Sequence, residues 1–233
     1  MFLRSKWVSP ASALVALSVG LSLLVNPVAD AAPKKMKLLW SDEFNGKKGV
    51  RPSANVWSAE IGGGGWGNSE RQFYTDKAAN ASMDGSGRLV ITANRISNEY
   101  TEQVGEVPGT EDILNRCSEC QFTSARLKTA RKLSFQYGRI EARIKMPSGS
   151  GNHPAFWMLG DNINQVGWPT TGEMDITEIH SNIPNETTAA INYSTSFAPN
   201  ACCTNHNYVV EKLNLGSDVS QGYHLYALAW LPD

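Results

Sequence analysis

From Lys37 onward the chain falls into short runs in which apolar and polar residues alternate, separated by Gly, Pro, Asn and Asp. Arg139 to Met146 is the clearest. Ile140, Ala142, Ile144 and Met146 take one side, and Arg139, Glu141, Arg143 and Lys145 take the other. Such a period of two marks a half-buried strand, because successive side chains leave a strand on opposite faces. The same reading predicts strands at Arg88 to Ala93, Ala155 to Leu159, Gly172 to His180, Ala189 to Ser194 and Tyr223 to Trp230. The last is apolar on both faces, which predicts a central place in a sheet. No window carries a helical stripe. The fold class is therefore all-β, a sandwich or barrel of antiparallel sheets. Two segments stand apart: Gly62 to Asn68 is too rich in glycine for a strand, and the polar stretch Asn98 to Gln121 reads as a long loop.

One predicted strand breaks its own rule. Along Gly172 to His180, Glu173 and Asp175 share a face while Met174 and Ile176 share the other. Strict alternation would then place Glu178 among the apolar residues, and an ionised carboxylate in a core costs several kcal/mol or more. The apolar set slips at the same place, from Ile176 to Ile179. A single extra residue near Thr177, a β-bulge, returns Glu173, Asp175, Glu178 and His180 to one face. A helix does not, since five residues turn ~140° and separate the glutamates.

That arrangement suggests chemistry. With the bulge absorbed, the two glutamates lie four strand steps apart, ~13 Å at ~3.3 Å per step. Side chains leaning inward by ~4 Å each bring the carboxyls to ~5 Å, the separation of a glycosidase that retains configuration. Asp175 is shorter and fits between them, where it holds the pair's pKa values apart. The competing reading is a solvated acidic strand face. Three like charges on one strand repel and are poor strand formers, so that face would cost stability with nothing to offset it.

Charge narrows the function further. Lys+Arg 21 against Asp+Glu 22 gives a net charge of -1 over 233 residues, so no basic field exists to hold nucleic acid or an anionic membrane. The glycine-rich segment has no GK[ST] and no strand–helix context, which removes a phosphate-binding loop. Arg4 and Lys6 precede an uncharged run from Ala11 to Val25, and Ala29-Asp30-Ala31 follows. This is the order of a secretory signal peptide over residues 1–31, with a run shorter than the ~20 residues a membrane span needs. Residues 32–233 are thus expected to be one secreted, extracellular domain. In an oxidising compartment Cys117, Cys120, Cys202 and Cys203 read as disulfides rather than a zinc site, because Cys202 and Cys203 are adjacent and cannot form a second C-x-x-C. Bridges from Cys117 and Cys120 to Cys202 and Cys203 are expected. Asn80, Asn185 and Asn192 head glycosylation sequons.

Glu173-Met-Asp-Ile-Thr-Glu178 resembles the E-x-D-x-x-E motif of glycoside hydrolase family 16, in its bulged form. Further segments resemble the laminarinase (endo-β-1,3-glucanase) branch in the same order: Leu39 to Asn45, Gly62 to Asn68 with Glu70, Thr123 to Lys128, Tyr137 to Lys145, Pro154 to Gly160 and Trp168-Pro169. The resemblance implies a concanavalin-like β-jelly roll of two antiparallel sheets, with glucan lying across the concave one. It also implies Glu173 as nucleophile, Glu178 as general acid/base and Asp175 as the residue assisting the nucleophile. Trp157, Trp168 and Trp66 are expected to line the cleft, with Asn68, Glu70 and Arg126 toward the glycone side and His180 near sugar hydroxyls. Trp40, Trp57 and Trp230 are expected in the core.

The implied protein is a monomer that needs no cofactor for catalysis, with a structural Ca²⁺ as a family option. Its partner is a β-glucan polysaccharide. A mixed-linkage glucan, agar or carrageenan as substrate, transglycosylation, and glucan binding without catalysis all remain open. This chain departs from the pattern at His153, where the family often has Trp, at Ile179-His180-Ser181 after the second glutamate, and at Cys202-Cys203. The family continues into further strands where this chain ends at Asp233, so a C-terminally incomplete domain is expected.

Overall fold

The computed structural model describes residues 36–96, 117, 119–196 and 205–232. Its largest sheet is antiparallel and runs β12 (His206–Asn214), β11 (Glu186–Ser194), β10 (Glu173–Glu178), β9 (Ala155–Leu159). A second antiparallel pair joins β13 (His224–Trp230) to β8 (Gly138–Ile144). Smaller sheets complete the list: β2 (Gln72–Tyr74), β6 (Phe122–Ser124) and β5 (Asn94–Arg95); β3 (Ala81–Met83) with β4 (Leu89–Ile91); and β1 (Ser58–Ala59) with β7 (Leu127–Lys128). One turn of helix, α1 (Ile163–Val166), interrupts the link from β9 to β10.

The alternation along β8 is borne out: Ile140, Ala142 and Ile144 are half-buried, while Arg139, Glu141 and Arg143 are exposed. Met146, just past the strand, is buried with Ile176, Ile179, Val219 and Tyr226. Phe156 and Met158 of β9 and Ile140, Ile144 and Leu228 pack around them, so the core joins the inward faces of β9–β10 and β8–β13. Fully burying a side chain such as Ile179 is worth about 1.5–3 kcal/mol, which fixes the floor on which the acidic face of β10 is laid.

A second, smaller cluster is separate from this core. Phe73 packs with Cys117 and Cys120, which are bonded to each other. Buried Asn80 ties three segments together: it accepts from the Thr75 hydroxyl at 2.6 Å and donates to the Thr92 carbonyl and the Thr123 hydroxyl, each at 3.0 Å. A buried amide with all these partners is satisfied and rigid.

Several expectations are corrected here. Among the described residues the strands fall into five sheets rather than two, and β2 runs parallel to β6, because the strands of the N-terminal half are only two or three residues long and make short, separate ladders. Strand β13 is not central: among the described residues it pairs only with β8, and its apolar outer side, with Leu225, stays exposed. Trp40 is 40% exposed, and Trp57 and Trp230 are only half-buried. Trp40 meets Trp57 edge-on at 6.1 Å, and Trp230 meets Tyr137 at 5.0 Å. Indoles are too large to be enclosed where the layers are thin, so they pair at the margins.

The predicted cross-loop bridging is overturned as well. Cys117 bonds Cys120, three residues away, since the turn between them already brings the Cα atoms to 5.4 Å. Asn80, a sequon residue, is fully enclosed. The expected leader at 1–31, most of the stretch Asn98 to Gln121 expected as a loop, and Cys202 and Cys203 lie outside the described residues. No helix among the described residues is long and apolar enough to cross a membrane.

Candidate active site

Strand β10 carries the bulge where its pattern demands one. Against β11, Glu173 faces Asn192, Asp175 faces Ala190 and Glu178 faces Thr188, so three residues of β10 span only two of β11 between Asp175 and Glu178. Against β9 the register shifts between Asp175 and Thr177. Ile176 and Thr177 both turn inward and are buried. The Thr177 hydroxyl would be stranded there, and Thr187 meets it at 2.7 Å. Glu173, Asp175 and Glu178 consequently share one face, and the two glutamates sit four steps of β11 apart.

Each acid has its own support. The Asn192 amide donates to Glu173 Oε1 at 2.9 Å and to Asp175 Oδ2 at 3.1 Å. A hydrogen bond from Trp168 also reaches Glu173 and favours its ionised form. His153 Nε2 lies 3.2 Å from Glu178 Oε1, and its ring stacks on His180 at 4.8 Å. Burial, followed by the neighbouring Glu178 charge among other causes, raises the Glu173 carboxyl above its ordinary range despite those donors. Asp175, 7% exposed, is pushed up to about 7, first by burial and then by the charges of Glu173 and Glu178. His153 is raised too, chiefly by its hydrogen bond to Glu178. Three acids in one half-buried patch cannot all ionise freely, so a proton is retained near neutral pH.

A wall rises beside the acids. Trp157 of β9 pairs with Asp175 in register and so lies on the acidic face. The Arg126 guanidinium sits 4.5 Å from the Trp157 ring and 5.0 Å from the Trp66 ring. Trp66 in turn meets Tyr74 at 5.4 Å. Glu70 accepts from the Tyr74 hydroxyl at 2.8 Å and from the amides of Gln72 and Asn68. The Tyr74 hydroxyl is held neutral by burial and by Glu70. The glycine-rich segment is pinned through Gly62, which exchanges two backbone hydrogen bonds with Tyr74. Gly63 must be glycine: a Cβ there would stand 2.7 Å from Cys117 Sγ and 2.8 Å from Cys120 Sγ. The disulfide therefore backs the loop that presents Trp66 and Asn68. Among the described residues no group of three or more His, Cys, Asp or Glu is disposed to hold a metal ion.

Residues 66–233 match the family described as glycosyl hydrolases family 16. The chain belongs to that family. It is 39% identical over 199 residues to the clotting factor G alpha subunit of Tachypleus tridentatus, covering 84% of this chain and 24% of that one. To the glucan endo-1,3-beta-glucosidase of Cryptopygus antarcticus it is 36% identical over 195 residues, covering 83% and 63%. The laminarinase of Flavobacterium sp. UMI-01 shares its fold with a TM-score of 0.63 at 38% identity, over 84% of this chain and 72% of that one. The chain thus spans a quarter of the first relative and under two thirds of the second. Through such neighbours its strands are those of the family 16 jelly roll.

Within this family 16 chain, the structure brings the sequence-predicted residues together. Glu173, Asp175 and Glu178 form the floor, while Trp157, Arg126 and Trp66 form a ladder of rings and guanidinium beside it. Asn68 and Glu70 are linked to each other at 3.3 Å. His180 is exposed and stacked on His153. Trp168 was expected to offer a stacking face; its ring lies 4.6 Å from His206 while it hydrogen-bonds Glu173. Asn192 and His206 escaped the sequence reading as site residues. Asn192 drew notice only as a sequon, although its place two residues past Ala190 on a strand pairing with β10 was the available signal. His206 carries no local motif at all.

Proposed function

We propose that this protein is a secreted, endo-acting retaining glycoside hydrolase that cleaves β-1,3-glucan of the laminarin type. The observation that carries the reading is the common face of Glu173, Asp175 and Glu178 across the bulge. Four strand steps of ~3.3 Å, less the inward lean of two glutamates, leave ~5 Å between carboxyls, which favours direct attack over activation of an intervening water.

In the first step Glu178 gives its proton to the glycosidic oxygen as the bond from that oxygen to the anomeric carbon breaks. Glu173, ionised, forms a bond to the anomeric carbon from the opposite side. Its two donors, Asn192 and Trp168, fix its direction. Glu178, now a carboxylate, then takes a proton from water while the water oxygen replaces Glu173 at the anomeric carbon. Two inversions restore the starting configuration. Asp175, high in pKa and sharing the Asn192 amide with Glu173, carries the retained proton so that Glu173 need not. Trp157 and Trp66 offer ring faces to the C–H faces of glucose units, with Arg126 keeping them in place. The leader in residues 1–31 directs the protein outside the cell, where it acts as a monomer.

The test is a product assay with laminarin, lichenan and agarose, reading the sugars released and the anomer formed first by proton NMR. Fastest release from laminarin with the β-anomer first is expected. Glu173→Gln and Glu178→Gln should each lower kcat by at least about a hundredfold. Release from agarose alone overturns the substrate, an inverted anomer overturns the mechanism, and undiminished turnover in either glutamine variant overturns the enzyme.

A further inference from the structure

Both side chains that donate to Glu173 converge on one further residue. His206, half-buried at the start of β12, contacts Asn192 and Trp168 at once: its Nε2 is 2.8 Å from Asn192 Oδ1, and its ring lies 4.6 Å from the Trp168 ring. Across the β11–β12 pair, Ser194 faces His206 and Asn192 faces Tyr208, so Asn192 and His206 are diagonal neighbours on the acidic face.

The hydrogen-bond chemistry here has one consistent solution. Ionised Glu173 only accepts, so the Asn192 NH₂ must point toward it, and Asp175 Oδ2 accepts from the same NH₂. Its oxygen then points at His206 Nε2, which must carry a hydrogen. The opposite amide orientation would set Oδ1 against the Glu173 carboxylate, two acceptors face to face. Tyr208, 5.4 Å from the His206 ring on its own strand, adds a further contact.

We propose that His206 is a positioning residue for the nucleophile: from the outermost strand it fixes the Asn192 amide by a hydrogen bond and the Trp168 indole by ring contact, and so sets the direction of Glu173. It touches no reacting atom. The kinetic part of the claim rests on the glycosidase reading above; the hydrogen-bond part does not. An amide free to turn over loses both donated bonds, and a nucleophile misplaced by about 1 Å costs on the order of a hundredfold in rate.

Three variants and one spectrum test this. His206→Phe keeps a ring against Trp168 and loses the donor; His206→Gln keeps a donor and loses the ring; His206→Ala loses both. On laminarin, kcat should fall about tenfold to a hundredfold in the Phe and Ala variants with KM within about twofold, because ground-state binding is not involved. The Gln variant should recover most of the loss. Nitrogen-15 NMR of the unaltered protein at pH 8 should show His206 as the Nε2–H tautomer, with the Asn192 side-chain amide protons protected from exchange. An Nδ1–H tautomer with a rapidly exchanging Asn192 amide overturns the proposal even if the protein cleaves no glucan. Full kcat in a folded Phe variant, or a raised KM with unchanged kcat, overturns it as well. If none of the variants folds, the spectrum alone decides.

Discussion

Asp175→Asn should stabilise the protein at neutral and alkaline pH while lowering its activity. The aspartate is 7% exposed, and its carboxyl is pushed from an ordinary 3.8 to about 7. A folded-state pKa above the unfolded one means that the folded state holds the proton more tightly. The acid form is therefore no burden, and ionisation penalises the fold progressively between about pH 4 and pH 7. Taken at face value the gap corresponds to about 4 kcal/mol. The neighbouring Glu178 side chain is 26% exposed, and solvent response there brings the effective figure to about 2 kcal/mol. An asparagine still offers an oxygen to the Asn192 amide and never ionises. Chemical denaturation at a series of pH values reads the effect. The two proteins should match near pH 4, diverge as pH rises, and differ by a constant amount above pH 8. For a domain of this size that is about 4–8 °C in Tm. Glu173 and His153 slope the same way and are coupled to Asp175, so the difference between the two proteins reads the ionisation of Asp175 together with that coupling. A difference that stays flat from pH 4 to 8 would refute the reasoning, for it would mean that Asp175 ionises as it does in open water.

Other expectations follow from the same contacts. His153→Gln should lose stability mainly at low pH: the raised His153 pKa makes the contact with Glu178 fully stabilising below its unfolded 6.5 and lost as pH rises through the higher folded value. Denaturation at pH 6 and pH 9 checks it, and an equal loss at both would refute it. Gly63→Ala should destabilise the glycine-rich loop by about 1–3 kcal/mol through the clash with the Cys117–Cys120 bridge; an unchanged melting curve counts against that close approach. If the protein is made in a glycosylating host, mass spectrometry of folded material should find no glycan at Asn80, which is enclosed, or at Asn192, whose amide is committed to Glu173 and Asp175. A glycan on either would contradict the placement of that side chain.

The acidic strand was legible because it contradicted itself. Two independent alternations, one acidic and one apolar, lost phase at the same residue, and only a bulge reconciles them. The structure places the bulge between Asp175 and Glu178 against β11. Strand β12 left no such trace. Its residues are exposed on both faces apart from His206 and Asn207, so burial imposes no alternation to read. The role of Asn192 depends on which residue of β11 lies opposite Glu173, a register set by the whole sheet and by no local pattern. The cysteines mislead for the converse reason: adjacent Cys202 and Cys203 invite a distant pairing, whereas Cys117 and Cys120, three residues apart, already meet the geometry of a bridge.

The choice of donors around Glu173 has its own logic. A lysine or arginine bonded directly to the acids would hold Glu173 ionised more firmly than an amide does. The same charge would also pull down Asp175 and every other carboxyl in the patch, and a site that must retain a proton near neutral pH would lose it. Asn192 and Trp168 are neutral, so they direct hydrogens at Glu173 without adding a positive charge. Arg126 acts on Glu173 while positioned against the rings of Trp66 and Trp157. His153 touches Glu178 alone among the three acids, at the end of the strand away from Glu173. Positive charge is thus kept to the margins and neutral donors to the centre. That division leaves Asp175 holding a proton near neutral pH beside Glu173, and in the proposed mechanism it makes His206, which contacts both neutral donors, the residue on which the direction of attack turns.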